Sequence, residues 1–171
     1  MTDAGYAVYG LDHWGHGKSD GDPGFVPQFS AFLDGVGALT ERARADHPEL
    51  PQAIVGHSMG GLIAASYLLD HPAAFAAAIL SGPAIVAAEP PSAATIALSK
   101  IASKMAPKMG VVGLDANGVS RDPAVVADYL ADPAGFQGKM TARMAAEMFG
   151  YDAACSGKGI ADHNANAVAA W

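Results

Sequence analysis

Serine 58 stands in a run whose spacing fits nucleophilic catalysis, Gly56-His57-Ser58-Met59-Gly60, with Gly61 directly after it. A serine hydroxyl is a weak nucleophile until the backbone presents it and a base takes its proton. Gly-x-Ser-x-Gly supplies the presentation when it joins a strand to a helix, the arrangement of a nucleophile elbow. The turn is then so tight that glycine is expected on both sides of the serine, at Gly56 and Gly60. The hydroxyl is lifted off the sheet at the positive end of the next helix. There the backbone N–H of Met59 would point at an oxyanion formed at Ser58. The flanks meet the condition: apolar Ala53 to Val55 enters the run, and an Ala/Leu-rich helical stretch, Leu62 to Leu69, leaves it.

Other residue types invite chemistry and support it less. His13 and His16 lie in the glycine-rich loop Asp12 to Gly21. Either could serve as base or ligand, but polar residues bracing a loop are the simpler reading. Asp162-His163 suggests a triad with Ser58. Adjacent residues, however, do not readily present the carboxylate to one imidazole nitrogen while the other faces a serine. Nothing near Cys155 would lower a thiol pKa. Met140, Met144 and Met148 form one stripe at helical spacing. They fit a core and a flexible lipid-binding lid equally well.

The elements that must position Ser58 follow from periodicity. Tyr6 to Leu11 reads as a buried strand. Phe29 to Asp46 reads as an amphipathic helix with Phe29, Phe32, Leu33, Val36 and Leu39 on one face. Gly35 and Gly37 weaken it or let it pack closely on a neighbour. Gln52 to Val55 is the second strand, Met59 to Asp70 a helix, and Ala76 to Leu80 the third strand, closed by Ser81-Gly82-Pro83. Strands alternating with helices predict an α/β fold, a parallel sheet covered on both faces. Beyond Pro83 the character changes. Glu89 to Ser92 is a linker, and Ala93 to Met105 is helical. Ser120-Arg121-Asp122-Pro123 starts a helix to about Leu130, with Ser120 or Asp122 as N-cap. Gly138 to Phe149 is a further helix.

Composition narrows the class. The chain has 171 residues, enough for one domain or part of one. Ten basic against 17 acidic residues give a net charge of −7 with no basic stripe, which argues against a nucleic-acid partner. One cysteine allows no internal disulfide and fits a reducing compartment. Met1-Thr2-Asp3-Ala4 lacks a basic signal region, so a cytoplasmic location is expected. The apolar stretch from Pro72 to Ala88 is broken by Ser81-Gly82-Pro83 and does not read as a membrane span. Lys100, Lys104 and Lys108 read as a solvated face before a membrane-contacting one.

Several pieces together resemble the monoacylglycerol lipase family of α/β-hydrolases. They are Gly5-Tyr6-Ala7-Val8-Tyr9, Asp12-His13-x-Gly15-His16-Gly17-x-Ser19, Gly56 to Gly61, Leu80-Ser81-Gly82-Pro83, and Ser120-Arg121-Asp122-Pro123 with Tyr129 and Asp132-Pro133. The resemblance runs from about residue 4 to 149. It implies a partial α/β-hydrolase fold, with residues 1–83 as core and 84–149 as a helical cap over an acyl tunnel. It implies a serine esterase of lipid metabolism acting on monoacylglycerol-like acyl esters, with Ser58 as nucleophile and the Met59 N–H as one oxyanion donor. It implies no metal or organic cofactor, and transient membrane contact through the cap. A non-catalytic acyl-ligand-binding module, or an acyltransferase or thioesterase on the same elbow, remains open beside it.

The chain departs from that family. The family's His-Gly motif, source of a second oxyanion N–H, precedes the strand matching Tyr6–Leu11. Its catalytic Asp and His follow later strands. The resemblance therefore implies a chain truncated at both ends and weak or inert as it stands. In the family, the strand carrying the His-Gly motif lies between those matching Tyr6–Leu11 and Gln52–Val55. Without it, strand edges stay open and self-association is expected. Residues 150–171 form an atypical tail with no strand run. Back-translated with chosen codons and moved one base, the tail allows a sequence ending Met-Leu-Leu-Leu-His-Gly, which resembles the family's next strand. It therefore reads as a frameshifted ending.

Overall fold

Tyr6–Leu11 forms no strand in the computed structural model of the chain. The structure describes all residues except 86–91, 114, 134, 137, 159–166 and 171; of residues 93, 95, 152–158 and 167–170 it describes the backbone alone. A strand needs a ladder partner for its backbone groups, and among the described residues this segment has none. Tyr6 and Val8 are exposed, so the expected buried strand is corrected to a surface segment without regular structure. Tyr9 ties it down, its hydroxyl donating to Asp46 Oδ2 at 3.0 Å.

The helices are α1 (Ser30–Asp46), α2 (Met59–Asp70), α3 (Ala93–Met105), α4 (Pro123–Ala131) and α5 (Ala142–Lys158). The strands are β1 (Ala53–His57), β2 (Ala77–Ser81), β3 (Gly110–Val112), β4 (Met140–Thr141) and β5 (Ala167–Ala170). Two compact units result. One comprises Met1–Leu11, Phe32–Pro90 and Tyr151–Trp171; the other comprises Asp12–Ala31 and Pro91–Gly150.

The first unit holds a parallel sheet in the order β1-β2-β5. Val55 stands opposite Ile79, and Ile79 opposite Val168. One face of β1 and β2 packs on α2, whose residues Gly61 to Tyr67 are all buried. α2 is apolar nearly all round, as a helix with neighbours on several sides must be. α1 buries Phe32 and Val36. Gly37 lies against α2: a Cβ there would stand 3.7 Å from the Tyr67 hydroxyl, an ordinary contact, so the approach of the helices does not require glycine. Among the described residues the opposite face is left open at β1 and β2. Val55 is 53% exposed and Ile79 38% exposed, which corrects the expectation of a sheet covered on both sides. Alternation explains it, since Val55 and Ile79 share the face that α2 does not touch.

In the second unit, Val26, Phe29, Ala142, Met144 and Ala145 form the core. The loop beginning at Asp12 is held by backbone and side chain alike. Thr141 Oγ1 donates to Gly24 O at 2.8 Å, and the Phe29 N–H to Glu147 Oε2 at 2.9 Å. Lys108 pairs with Asp22 at 2.5 Å and sits over the Phe25 ring. Asp122 caps α4 as expected, its carboxylate accepting the Ala124 N–H at 2.9 Å. Ser120 Oγ in turn accepts the Asp122 N–H.

Two further expectations change. The helix expected from Gly138 starts at Ala142, because Met140 and Thr141 pair antiparallel with Val112 and Gly110. Of the methionine stripe, Met144 is buried and Met148 half-buried on α5, while Met140 stands on β4. The helix also continues to Lys158, and β5 follows, so residues 150–171 do contain regular structure, a strand included. Among the described residues no helix is long and apolar enough to cross a membrane.

Candidate active site

β1 ends at His57, α2 begins at Met59, and Ser58 is the single residue between them. Its backbone adopts φ 50°, ψ −118°. Among the described residues it is the one non-glycine with positive φ. Such a conformation costs about 1–3 kcal/mol and persists where the surroundings over-determine it. Four hydrogen bonds do so here. The Ser58 N–H donates to Ser81 O at 3.0 Å, and its carbonyl accepts from Gly61, Leu62 and Ala84 at 3.0, 3.2 and 3.0 Å. The elbow is thus pinned to the end of β2 and to the turn beyond it.

The glycines divide the work differently from expectation. A Cβ at Gly56 would stand 2.9 Å from Gly61 Cα, and one at Gly61 would stand 2.7 Å from Pro83 Cβ. One at Gly60 would meet nothing within 4 Å. The tight approaches are therefore at Gly56 and Gly61. Gly60 contributes backbone that Gly56 must lie against.

Ser58 is exposed and Met59 half-buried at the first turn of α2. First-turn N–H groups have no acceptor inside their own helix, so the Met59 N–H is available to an oxyanion. His57 is exposed, and its Nδ1 lies 3.2 Å from Ser81 Oγ. The parallel register places the two side by side, His57 opposite Ser81. Single-strand reading misses this pair, although both residues sit in motifs singled out above. Among the described residues, no hydrogen bond to the Ser58 hydroxyl is recorded.

The other candidates do not join this group. His13 and His16 belong to the second unit. Burial, and then the neighbouring His16, hold His13 below the ordinary histidine pKa, with Asp12 opposing. His16 Nδ1 lies 2.9 Å from Trp14 O, and Asp12 anchors the loop by accepting the Lys18 N–H and the Ser19 hydroxyl. Both histidines thus stand within a braced loop. Asp162 and His163 lie outside the described residues, and Cys155 lies on α5 with its side chain outside them. An open groove of about 620 Å³ runs along α4, lined by Arg121, Ser120, Val126 and Leu130 among others, none of them an elbow residue.

Residues 1–157, which include this strand, serine and helix, match the family model described as serine aminopeptidase, S33 (Hydrolase_4). The chain belongs to this family. The chain is 44% identical over 147 residues to a monoacylglycerol lipase of Mycolicibacterium smegmatis, covering 86% of this chain and 52% of that protein. It is 34% identical over 128 residues to human monoglyceride lipase, covering 74% of this chain and 42% of the relative. The chain thus spans about half the length of the curated relatives it matches. The crystal structure of Paleococcus ferrophilus monoacylglycerol lipase superposes with a TM-score of 0.83 at 23% identity, over 98% of this chain and 62% of that one. The fold is accordingly a partial α/β-hydrolase, with a parallel sheet and flanking helices.

Proposed function

We propose that the chain is the nucleophile-bearing part of a serine ester hydrolase acting on monoacylglycerol-like esters. The observation that carries this reading is Ser58 at φ 50° between β1 and α2. The relatives named above as monoacylglycerol lipases supply the substrate class. In the reaction, Ser58 Oγ attacks the ester carbonyl while a base takes its proton. The Met59 N–H donates to the oxyanion. The bond to the alcohol then breaks, and glycerol leaves with that proton. Water attacks the acyl-serine in the same way, releasing the fatty acid and freeing Ser58. By resemblance the base is a histidine oriented by an aspartate. Among the described residues no hydrogen-bonded histidine–aspartate pair stands beside Ser58.

Hydrolysis of a short-chain p-nitrophenyl ester, compared with Ser58→Ala, tests the reading. Slow release that disappears in the variant supports it. Equal release from both proteins overturns it. The second reading is a non-catalytic module that holds acyl ligands. The Ser58 hydroxyl, without a hydrogen bond among the described residues, favours it, and it predicts fatty-acid binding that Ser58→Ala leaves intact.

A further inference from the structure

The run Ser81-Gly82-Pro83-Ala84 closes on the elbow from the end of β2. Ser81 O accepts the Ser58 N–H at 3.0 Å, and the Ala84 N–H donates to Ser58 O at 3.0 Å. Pro83 stands against Gly61, where an added Cβ would come within 2.7 Å of Pro83 Cβ. Gly82, at φ 48°, turns the chain between these contacts. Side chains add a further link, His57 Nδ1 to Ser81 Oγ at 3.2 Å. Whichever tautomer His57 adopts, one of the two groups can donate and the other accept. With Ser58 taken as the nucleophile of the hydrolysis proposed above, on which the assignment rests, we propose that Ser81 is a positioning residue for that reaction. Through His57 it holds the end of β1 against β2, and so keeps Ser58 in its strained conformation.

His57 and Ser81 are the last residues of β1 and β2 and stand opposite each other, the final rung of that ladder. A final rung is supported from one side only and opens first. Here the very next residue is Ser58, at φ 50°. Such backbone relaxes unless its surroundings hold it. If the rung opened, the Ser58 N–H would lose Ser81 O, and the hydroxyl would leave its place at the start of α2. Strand alternation puts His57 and Ser81 on the face away from α2, beside Val55 and Ile79, where a cross-strand pair can bridge the rung. The His57 ring also reaches the turn, since a Cβ at Gly82 would stand 4.0 Å from His57 Cε1. Alanine at position 81 would leave every backbone bond of the turn possible and remove the bridge alone.

Steady-state hydrolysis of a short-chain p-nitrophenyl ester, together with amide exchange at Ser58, tests the assignment on the 171-residue chain. Ser81→Ala should lower kcat by about tenfold with KM within about twofold, short of the roughly hundredfold that a misplacement of about 1 Å can cost. Exchange of the Ser58 N–H should speed by about tenfold, while circular dichroism shows unchanged helix content. Ser81→Thr, which keeps a hydroxyl, should recover most of both losses. His57→Ala should match Ser81→Ala, and the double variant should be no slower than either single one, because both remove the same bridge. Hydrolysis that depends on Ser58 but is unchanged in Ser81→Ala overturns the assignment and leaves the esterase reading standing. So does an unchanged exchange rate at Ser58, a Ser81→Thr chain no faster than Ser81→Ala, or additive losses in the double variant. Hydrolysis that Ser58→Ala does not remove overturns the esterase reading, and the role of Ser81 with it.

Discussion

A methyl group on Gly61 would press on Pro83, with Cβ 2.7 Å from Pro83 Cβ, whereas one on Gly60 would enter open space. Gly61→Ala and Gly56→Ala should therefore each destabilise the chain by about 1–3 kcal/mol, the usual cost of overpacking. Gly60→Ala should be neutral or stabilising by up to ~1 kcal/mol, because alanine is the better helix former. Urea midpoints check all three. Ser58 itself was legible from spacing, since no other element needs glycines around a serine between a strand and a helix. The division of labour among the glycines was not, because it depends on where Pro83 returns. The His57–Ser81 pair was hidden for a related reason: it exists through the register of β1 on β2. His13 carries a pH prediction. Its folded pKa is lowered, chiefly by burial, so the neutral form is the folded one. Below ~6.5 the unfolded chain binds more protons, and stability falls as pH drops toward the lowered value; above ~6.5 this contribution is complete and constant. His13→Asn should flatten that slope in urea midpoints measured across the window.

At the scale of elements, local signals read well where local chemistry decides. α2 and α3 occupy the spans their periodicity predicts, Met59–Asp70 and Ala93–Met105. α4 starts where Asp122 and Pro123 place it, with Asp122 Oδ1 on the Ala124 N–H. Asp122→Ala should cost ~1 kcal/mol and speed exchange of the first-turn amides of α4, which proton-exchange NMR would read directly. Strands are different, because a strand is a relation between two segments. Tyr6–Leu11 has strand composition and no ladder. Met140–Thr141 has helical spacing and pairs with β3. Neither outcome is contained in the segment itself. The C-terminal end of α1 shows how a lone segment is still held. Asp46 there accepts from Arg42 Nε at 2.8 Å and from Tyr9 at 3.0 Å. The Arg42 bond first, and Tyr9 next, lower its carboxyl pKa. The tether is therefore present above the ordinary carboxylate range and is released as pH falls through the lowered value. All three groups are exposed, so the effect is local to Tyr6–Leu11.

For the whole molecule, the sheet decides how much of an α/β-hydrolase this chain can be. The first unit has α2 on one face of β1 and β2, exposed Val55 and Ile79 on the other, and Ser58 at the end of β1. β5 closes the far side, with Ala78 to Ser81 of β2 in register with Ala167 to Ala170. That ladder comes from the tail, whose sequence signals a strand least of all. Its weight is measurable by ending the chain at Lys158. Each lost ladder hydrogen bond costs about 0.5–1.5 kcal/mol net, so the urea midpoint should fall clearly. Less surface would then be buried on folding, so the denaturant slope should fall with it. β2 would then replace β5 as the outer strand of the sheet. An unchanged midpoint and slope would mean that β1, β2 and α2 hold Ser58 without β5. A lowered midpoint together with slower p-nitrophenyl ester hydrolysis would mean that the serine's strained backbone depends on a sheet three strands wide.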